Sequence, residues 1–131
     1  MNKESLLAIL DQLISELIES NKTLPAVVEG DRDEASLRIL GLTGTILKLN
    51  IGLSIFNFCE KLTEYQEVII LTDWDRKGKE LREKLKAALI ANGIRPNDYY
   101  WLGLKHLCSR EIQEVEYLHI FHKNLKNKLD S

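Results

Sequence analysis

The sequence offers little covalent stabilisation, because its 131 residues include only two cysteines, Cys59 and Cys108. Each stands beside apolar residues, which favours buried free thiols, although two cysteines alone leave a single bridge open. A chain of this length can bury a core without disulfides or a structural metal. Its 44% hydrophobic and 29% charged residues are ordinary for a soluble globular protein, so we expect it to fold.

Long hydrophobic runs are also missing. No apolar run approaches the length of a membrane span, and Lys48 interrupts the most hydrophobic stretch. The N-terminus, with Glu4 and Asp11 inside an amphipathic pattern, lacks the layout of a secretory signal. We therefore expect a cytoplasmic protein.

An excess of positive charge is absent as well: 18 Lys and Arg residues face 20 Asp and Glu residues, for a net charge of −2. Proteins that bind polyanions without a metal usually carry a basic excess. A phosphate ligand would therefore have to be met by a local basic patch, by a bound cation, or by both.

Hydrophobic periodicity organises the first third of the chain. Residues 3–19 have apolar side chains every three or four positions, which predicts an amphipathic helix. Residues 26–28 are short, apolar and β-branched, which predicts a buried strand. A second helix is expected next, with Asp31 and Glu34 spaced as in a capping box and Gly41 as its C-terminal stop.

The rest of the chain continues this alternation. The predicted elements are a strand at 45–49, a short helix bearing Leu53 to Phe58, a strand at 68–71, a helix at 77–91, a strand at 99–104 and a last helix at 109–129. The strand at 68–71 is apolar on both faces, as a central parallel strand should be. Alternating strands and helices with short loops predict a parallel sheet covered by helices on both faces.

Acidic residues follow two of these strands at their carboxyl ends, where open α/β sheets bind their ligands. Glu29 follows the first strand, and Asp73 and Asp75 follow the third. If the two strands are neighbours, the three carboxylates converge, which is unfavourable unless a proton or cation intervenes. Mg²⁺, or Mn²⁺ in its place, suits such a site. The bound ion would reverse the negative local potential and so attract a phosphate.

These residues resemble a known family, the Toprim domain, and above all its small, nearly stand-alone members in archaea and bacteria. The motifs that carry the resemblance are Glu29-Gly30-x-x-Asp33 and Asp73-x-Asp75 followed by Gly78. Toprim domains occur in topoisomerases, bacterial-type primases, RecR-type repair proteins and ribosomal RNA maturation nucleases. The resemblance spans roughly residues 24–120.

The resemblance implies a Rossmann-like three-layer α/β fold with a four-stranded parallel sheet flanked by helices. An amphipathic N-terminal helix, residues 1–23, would pack on the Toprim domain of residues 24–131 or on a partner. That helix could mediate a homodimer.

The resemblance also implies roles for individual residues. Glu29 would be the general acid or base, or an additional metal ligand, while Asp73 and Asp75 would hold Mg²⁺. The supporting residues would be Gly30 and Gly78, which permit turns, Asp33, and Glu116, with Glu114 as its neighbour.

The activity implied is Mg²⁺-dependent phosphodiester chemistry on RNA or DNA, most simply that of a nuclease. No partner domain carries a topoisomerase tyrosine, and two cysteines cannot build a primase zinc module. A non-catalytic RecR-like scaffold or binding module, and a nucleotidyl or phosphoryl transferase, remain as alternatives.

Several residues have a second interpretation. Asp31, Asp33 or Asp75 could simply cap a helix. Arg76 and Lys77, together with Arg32, are candidates for substrate phosphate, whereas the other cations of the helix at 77–91 suit a solvated face.

Histidines and aromatic residues are the last candidates. His119 and His122 lie near Glu116 at helical spacing, a trio that could bind a transition metal but more often marks a helix boundary. Trp74 and the aromatic cluster at 99–101 could stack on bases, although packing is the commoner fate.

Overall fold

The computed structural model of the protein describes residues 1–49 and 54–130. The elements along the chain are α1 (Lys3–Asn21), β1 (Ala26–Val28), α2 (Asp31–Leu40), β2 (Ile46–Lys48), α3 (Ile55–Glu60), β3 (Glu67–Ile70), α4 (Arg76–Ala91), β4 (Arg95–Asn97), α5 (Tyr99–Cys108), a 3-10 turn (Val115–Tyr117) and α6 (Leu118–Asp130). The alternation of strands and helices that the periodicity predicts is confirmed. Of the predicted short helix, Leu53 lies outside the described residues.

The four strands form one parallel sheet in the order β2-β1-β3-β4. Strands β1 and β3 are therefore central neighbours, with Val27 opposite Ile70. Because all four strands run the same way, their carboxyl ends share one edge of the sheet. The predicted α/β fold is confirmed, and it places the segments after β1 and β3 side by side.

Two apolar layers cover the sheet, one on each face. Alternate strand residues point to opposite sides: Val28 and Ile69 join the core formed by α1, α5 and α6, whereas Val27 and Ile70 join the core formed by α3 and α4. The apolar stripe of α1 is buried in the first of these layers. The central strands are buried on both faces, which explains their continuous apolar sequence.

The prediction of a strand at residues 99–104 is wrong. These residues open α5, and the fourth strand is instead Arg95–Asn97, at the edge of the sheet. Trp101, Leu104 and Cys108 are buried at helical spacing, so packing against α1 decides the conformation of this aromatic segment over its β propensity.

The prediction that the last helix begins at residue 109 is also wrong. Ser109 ends α5, and α6 begins only at Leu118. Between them, backbone groups of residues 113 and 115 bond to the loop after β3, and this tertiary contact replaces continuous helix.

The start of α2 differs from the predicted capping box. Gly30 is the N-cap residue, and its N–H donates to Oδ2 of Asp33 at 3.0 Å. Asp31 and Glu34 instead form ion pairs with Lys48, at 2.8 and 3.4 Å. The predicted stop at Gly41, which has φ 119°, is confirmed.

Both cysteines are buried and free, which confirms the thiol interpretation. Burial raises the pKa of Cys59 to about 11 and that of Cys108 to about 12. Within residues 1–49 and 54–130, no helix combines the length and apolar character needed to cross a bilayer.

Candidate metal centre

Glu29 and Asp73 meet at the carboxyl edge of the sheet because β1 and β3 are adjacent. The backbone N–H of Asp73 donates to Oε2 of Glu29 at 2.8 Å. Asp75 lies two residues further along the same loop. One carboxylate oxygen from each of these three residues lies within 4.8 Å of the others, so the convergence expected from the sequence is found in the fold.

Asp75 also caps α4. Its Oδ1 accepts a hydrogen bond from the N–H of Gly78 at 2.7 Å, which satisfies one of the free donors of the first helical turn. The capping interpretation of Asp75 is therefore correct, and the same residue still belongs to the acidic cluster. Capping fixes the orientation of its carboxylate.

Asp73 is held by two further segments of the chain besides the end of β1. Its Oδ1 accepts the N–H of Val115 at 2.8 Å, and its carbonyl accepts Nε1–H of Trp101 at 3.3 Å. With the bond to Glu29, its N–H, its carbonyl and one carboxylate oxygen all have partners. The residue is only 8% exposed, so its position is fixed by packing and hydrogen bonds together.

The donor set fits a hard divalent cation. Each of the three carboxylates accepts one backbone N–H, which orients the group and leaves its second oxygen for an ion. Octahedral Mg²⁺ holds oxygen ligands at about 2.1 Å, so adjacent ligands are about 3 Å apart and opposite ones about 4.2 Å, and the 4.8 Å cluster would have to contract around a shared ion. This is the one cluster of three or more such side chains among the described residues.

The electrostatics of the cluster also favour a cation. Burial, followed by repulsion from Asp33 and Glu29, raises the pKa of Asp73 to about 8. The pKa of Asp33 is raised as well, first by burial and then by the charges of Glu29 and Glu116. Without a cation, these carboxyl groups bind protons more tightly than isolated carboxylates do.

Comparison with known proteins decides the family of this arrangement. Residues 17–98, more than half of the chain, match the Toprim domain. This chain belongs to the Toprim domain family. The resemblance seen in the sequence motifs is thereby confirmed.

Several archaeal relatives are similar to this Toprim protein over most of its length. It is 38% identical over 121 residues to the UPF0292 protein of Methanosarcina barkeri, covering 91% of this chain and 84% of the relative. It is 39% identical over 97 residues to the UPF0292 protein of Thermoplasma volcanium, covering 72% of this chain and 82% of the relative.

A solved structure supports the same fold. The putative protein from Aquifex aeolicus superposes with a TM-score of 0.72 at 24% sequence identity, covering 83% of this chain and 97% of that one. Membership of the Toprim family indicates a metal-dependent function related to nucleic acid.

Glu114 and Glu116 lie beside the Toprim acidic cluster, on the segment that bonds to Asp73. A hydrogen bond with Glu116 raises the pKa of Glu114, and burial and the charges of Asp75 and Asp33 add to this. Glu116 is also 3.8 Å from Arg32. The structure thus brings both glutamates to the rim of the cluster.

The two glycines of the motifs have different roles from the turns expected of them. Gly30 is extended, with φ −156° and ψ −172°, a conformation open to other residues. Gly78 lies in the first turn of α4, and a Cβ there would be 2.1 Å from the carbonyl oxygen of Asp73. Glycine is needed at residue 78 for close approach of two backbones.

The candidate phosphate-binding cations lie at the rim of the site and are exposed. The side chains of Arg32 and Arg76 are 86% and 94% exposed, and Lys77 is exposed in the first turn of α4. Arg76 pairs with Glu80 at 3.5 Å. These weak surface pairs leave the cations able to turn toward a ligand.

The histidines are directed to other parts of the protein. His119 contacts Oγ of Ser36 through Nδ1 at 3.0 Å, and His122 contacts Oδ1 of Asp11 through Nε2 at 2.6 Å. These separate partners agree with the interpretation of boundary residues. Trp74 is buried, in agreement with packing rather than base stacking.

Sequence reasoning missed two residues that hold Asp73. Val115 acts through its backbone N–H, which leaves no mark in the side-chain pattern. Trp101 was placed in a strand, and the helical spacing of Trp101, Leu104 and Cys108 is the signal that could have placed it correctly.

Proposed function

We propose that this Toprim protein performs Mg²⁺-dependent phosphodiester chemistry on nucleic acid, as a nuclease. The observation that carries the proposal is the convergence of Glu29, Asp73 and Asp75 within 4.8 Å at the ends of two adjacent parallel strands. Each of the three carboxylates is also oriented by a hydrogen bond from a backbone N–H.

The three residues of the acidic cluster would have different roles. Asp73 and Asp75 would hold the ion, which when bound supplies charge stabilisation for the phosphate and lowers the pKa of a water ligand. The second oxygen of Glu29 would take up or return a proton, or add a ligand to the ion. Asp33, on α2, and Glu116, on the 3-10 turn, would support the cluster.

Substrate binding would depend on local cations, because the net charge of −2 provides no general attraction for nucleic acid. Arg32 lies on α2, and Arg76 and Lys77 begin α4, so these cations flank the cluster from two elements. We propose that they contact the phosphates on either side of the reacting one.

A cleavage assay with matched variants tests the proposal. Asp73→Asn and Asp75→Asn keep an oxygen acceptor for the N–H groups of Val115 and Gly78, so the fold should persist. We expect either change to abolish Mg²⁺-dependent cleavage of mixed RNA and DNA, while the exposed control Glu64→Gln cleaves as the parent does. An Asp73→Asn protein that cleaves at the parent rate would refute the mechanism.

The same assay separates the alternatives. Mg²⁺ binding, followed by chemical shifts, without turnover on any substrate would favour a RecR-like scaffold. Incorporation of labelled nucleotide into a product would favour a nucleotidyl or phosphoryl transferase. A crystal soaked in Mn²⁺ would locate the ion by anomalous scattering and name its ligands.

A homodimer through the N-terminal helix, and the division into residues 1–23 and 24–131, stay predictions, as does a cytoplasmic location. The apolar stripe of α1 is buried within this chain, so a dimer would use its outer face, where Ile9 is exposed near the exposed Leu102 of α5. Light scattering during size-exclusion chromatography of the parent and Ile9→Glu proteins tests this arrangement.

A further inference from the structure

A cavity of about 520 Å³ opens between the first turn of α1, the segment 111–117 and α6. We call it the α1–α6 cavity. One wall of this cavity is the segment that holds the candidate metal loop: the carbonyl of Gln113 accepts the N–H of Trp74, and the N–H of Val115 donates to Asp73, both at 2.8 Å. Cavity and acidic cluster are therefore neighbours.

Glu114 lies between the α1–α6 cavity and the acidic cluster. Its side chain lines the cavity, and its carboxylate is close enough to Asp75 and Asp33 to be repelled by their charges. A ligand inside the cavity would therefore be near the acidic cluster on the side of Glu114.

The apolar part of the lining suits a flat ring. Tyr117 is 45% exposed and Ile120 is 44% exposed, although both are large apolar side chains. Phe121 and Leu6, both half-buried, complete this surface. Pockets of this size are common small-ligand sites, and an exposed aromatic ring is a platform on which a nucleobase stacks.

The polar part of the lining carries both signs of charge. It consists of the amides of Gln113 and Asn124, the carboxylates of Glu111 and Glu114, and the ammonium groups of Lys3 and Lys128. The amide and carboxylate oxygens accept hydrogen bonds from the amino groups and ring N–H groups of bases, and the lysines donate to ring nitrogens and carbonyl oxygens. Because the remaining lining is apolar, the base is the part of a nucleotide that would enter, with its phosphate outside, toward the cation of the acidic cluster.

We propose that the α1–α6 cavity binds the base of one nucleotide, with Tyr117 as its stacking partner, and so positions the adjoining phosphate at the acidic cluster. This proposal rests on the function proposed above, since it names the part of the substrate that the same site recognises. The nucleotide is either one unit of a strand or free, and both sources share this chemistry.

Chemical-shift mapping of the parent protein in EDTA tests the cavity without any metal. The probes are adenosine 5′-monophosphate and ribose 5-phosphate, which carry the same sugar and phosphate but differ in the base. We expect the mononucleotide alone to shift the signals of Gln113, Tyr117, Ile120 and Asn124. Equal shifts from both probes would overturn the proposal. So would the absence of shifts at 10 mM mononucleotide, a concentration that detects binding free energies of roughly −2.7 kcal/mol or stronger.

Two variants examine the assignment to this cavity. Tyr117→Ala should weaken mononucleotide binding roughly tenfold, the scale of one lost stacking contact. Asn124→Trp, a change at an exposed residue, should fill the cavity and weaken binding similarly. The control is Tyr99→Ala, which removes an exposed tyrosine on α5, and it should bind as the parent does. Unchanged binding in both cavity variants, with native circular dichroism, would refute the site.

Two comparisons distinguish the sources of the nucleotide and separate this proposal from the previous one. Tighter binding of a trinucleotide than of the mononucleotide supports a strand, and the reverse supports a free nucleotide.

Base-dependent shifts in EDTA would support the cavity even in a protein that never cleaves. Conversely, metal-dependent cleavage that is unchanged in Tyr117→Ala and equally fast on an abasic substrate would refute the cavity alone.

Discussion

The backbone N–H of Asp73 donates to Oε2 of Glu29 at 2.8 Å, joining the ends of two strands that are 44 residues apart in the chain. This bond makes the orientation of the Glu29 side chain depend on the backbone of a candidate metal ligand. The two residues therefore act as one unit, and changes at either should affect both the metal and the loop.

Two substitutions at Glu29 distinguish the effect of its charge from the effect of its hydrogen bond to Asp73. Glu29→Gln keeps an oxygen acceptor for the N–H of Asp73, whereas Glu29→Ala removes both the acceptor and the charge. We expect both variants to lower kcat/KM for cleavage at least about 100-fold, the scale of a lost general acid or base. Only the alanine variant should also lose about 1 kcal/mol of stability, from the unpaired N–H. Parent-like cleavage by Glu29→Gln would contradict a proton-transfer role.

Gly78 should tolerate no side chain. In Gly78→Ala the new Cβ would lie 2.1 Å from the carbonyl oxygen of Asp73, so the acidic loop or α4 must move. We expect a loss of about 3 kcal/mol of stability and of Mg²⁺ binding, measured by urea unfolding and calorimetry.

The matched control for that change is Gly93→Ala, at the other end of α4. Gly93 has φ 73° and nothing within 4 Å of an added Cβ. Its substitution should cost about 1 kcal/mol through backbone strain alone and leave Mg²⁺ affinity unchanged. Equal metal affinities in the two variants would show that the contact at Gly78 does not shape the site.

The pKa of Asp73 predicts an unusual pH dependence for the metal-free protein. This pKa is about 8 in the fold, against about 3.9 in an unfolded chain. Because the folded state holds the proton more tightly, this contribution to stability is complete below about pH 4 and is lost as the pH rises toward 8. The urea midpoint in EDTA should therefore fall over that range more steeply in the parent than in Asp73→Asn.

Adding Mg²⁺ gives the corresponding control. At pH 8 the ion should raise the urea midpoint of the parent, because it binds the carboxylate form, and should leave that of Asp73→Asn unchanged. Parallel pH profiles of the two proteins would mean that Asp73 does not carry the shifted titration.

Trp101 is expected to position the metal loop from α5. Its Nε1–H donates to the carbonyl of Asp73 at 3.3 Å, and its own carbonyl accepts Nε1–H of Trp74 at 3.2 Å. Trp101→Phe removes the first bond and keeps a ring under the guanidinium of Arg82, which lies 4.1 Å from the ring centroid. We expect Mg²⁺ affinity to fall severalfold, with a stability loss of about 1–3 kcal/mol from the unpaired carbonyl.

Leu104→Val serves as the comparison for Trp101. It trims a buried side chain of the same helix, at a cost of about 1 kcal/mol, but keeps the indole bond to Asp73. Mg²⁺ affinity measured well below the melting temperature should be unchanged in this variant. If both variants lose affinity alike, Trp101 acts only through general stability.

Hydrophobic periodicity predicts most of the central strands and helices, because their burial requires a regular spacing of apolar residues. Strand β3 is buried on both faces and so has a continuous apolar sequence, while α1 and α4 have clear helical periodicity. The edge strand Arg95–Asn97 was missed because it is partly exposed and contains Pro96, which an edge position tolerates. The aromatic start of α5 has the composition of a strand, and only its packing decides otherwise.

The sequence by itself determined which acidic residues follow which strands, because strand ends and hydrophobic runs are local properties of the chain. Only the tertiary structure decided that β1 lies beside β3, that Val115 and Trp101 hold Asp73, and that α4 approaches its carbonyl at Gly78. These relationships depend on backbone groups and on strand order, and neither is encoded in a side-chain pattern that a single segment displays.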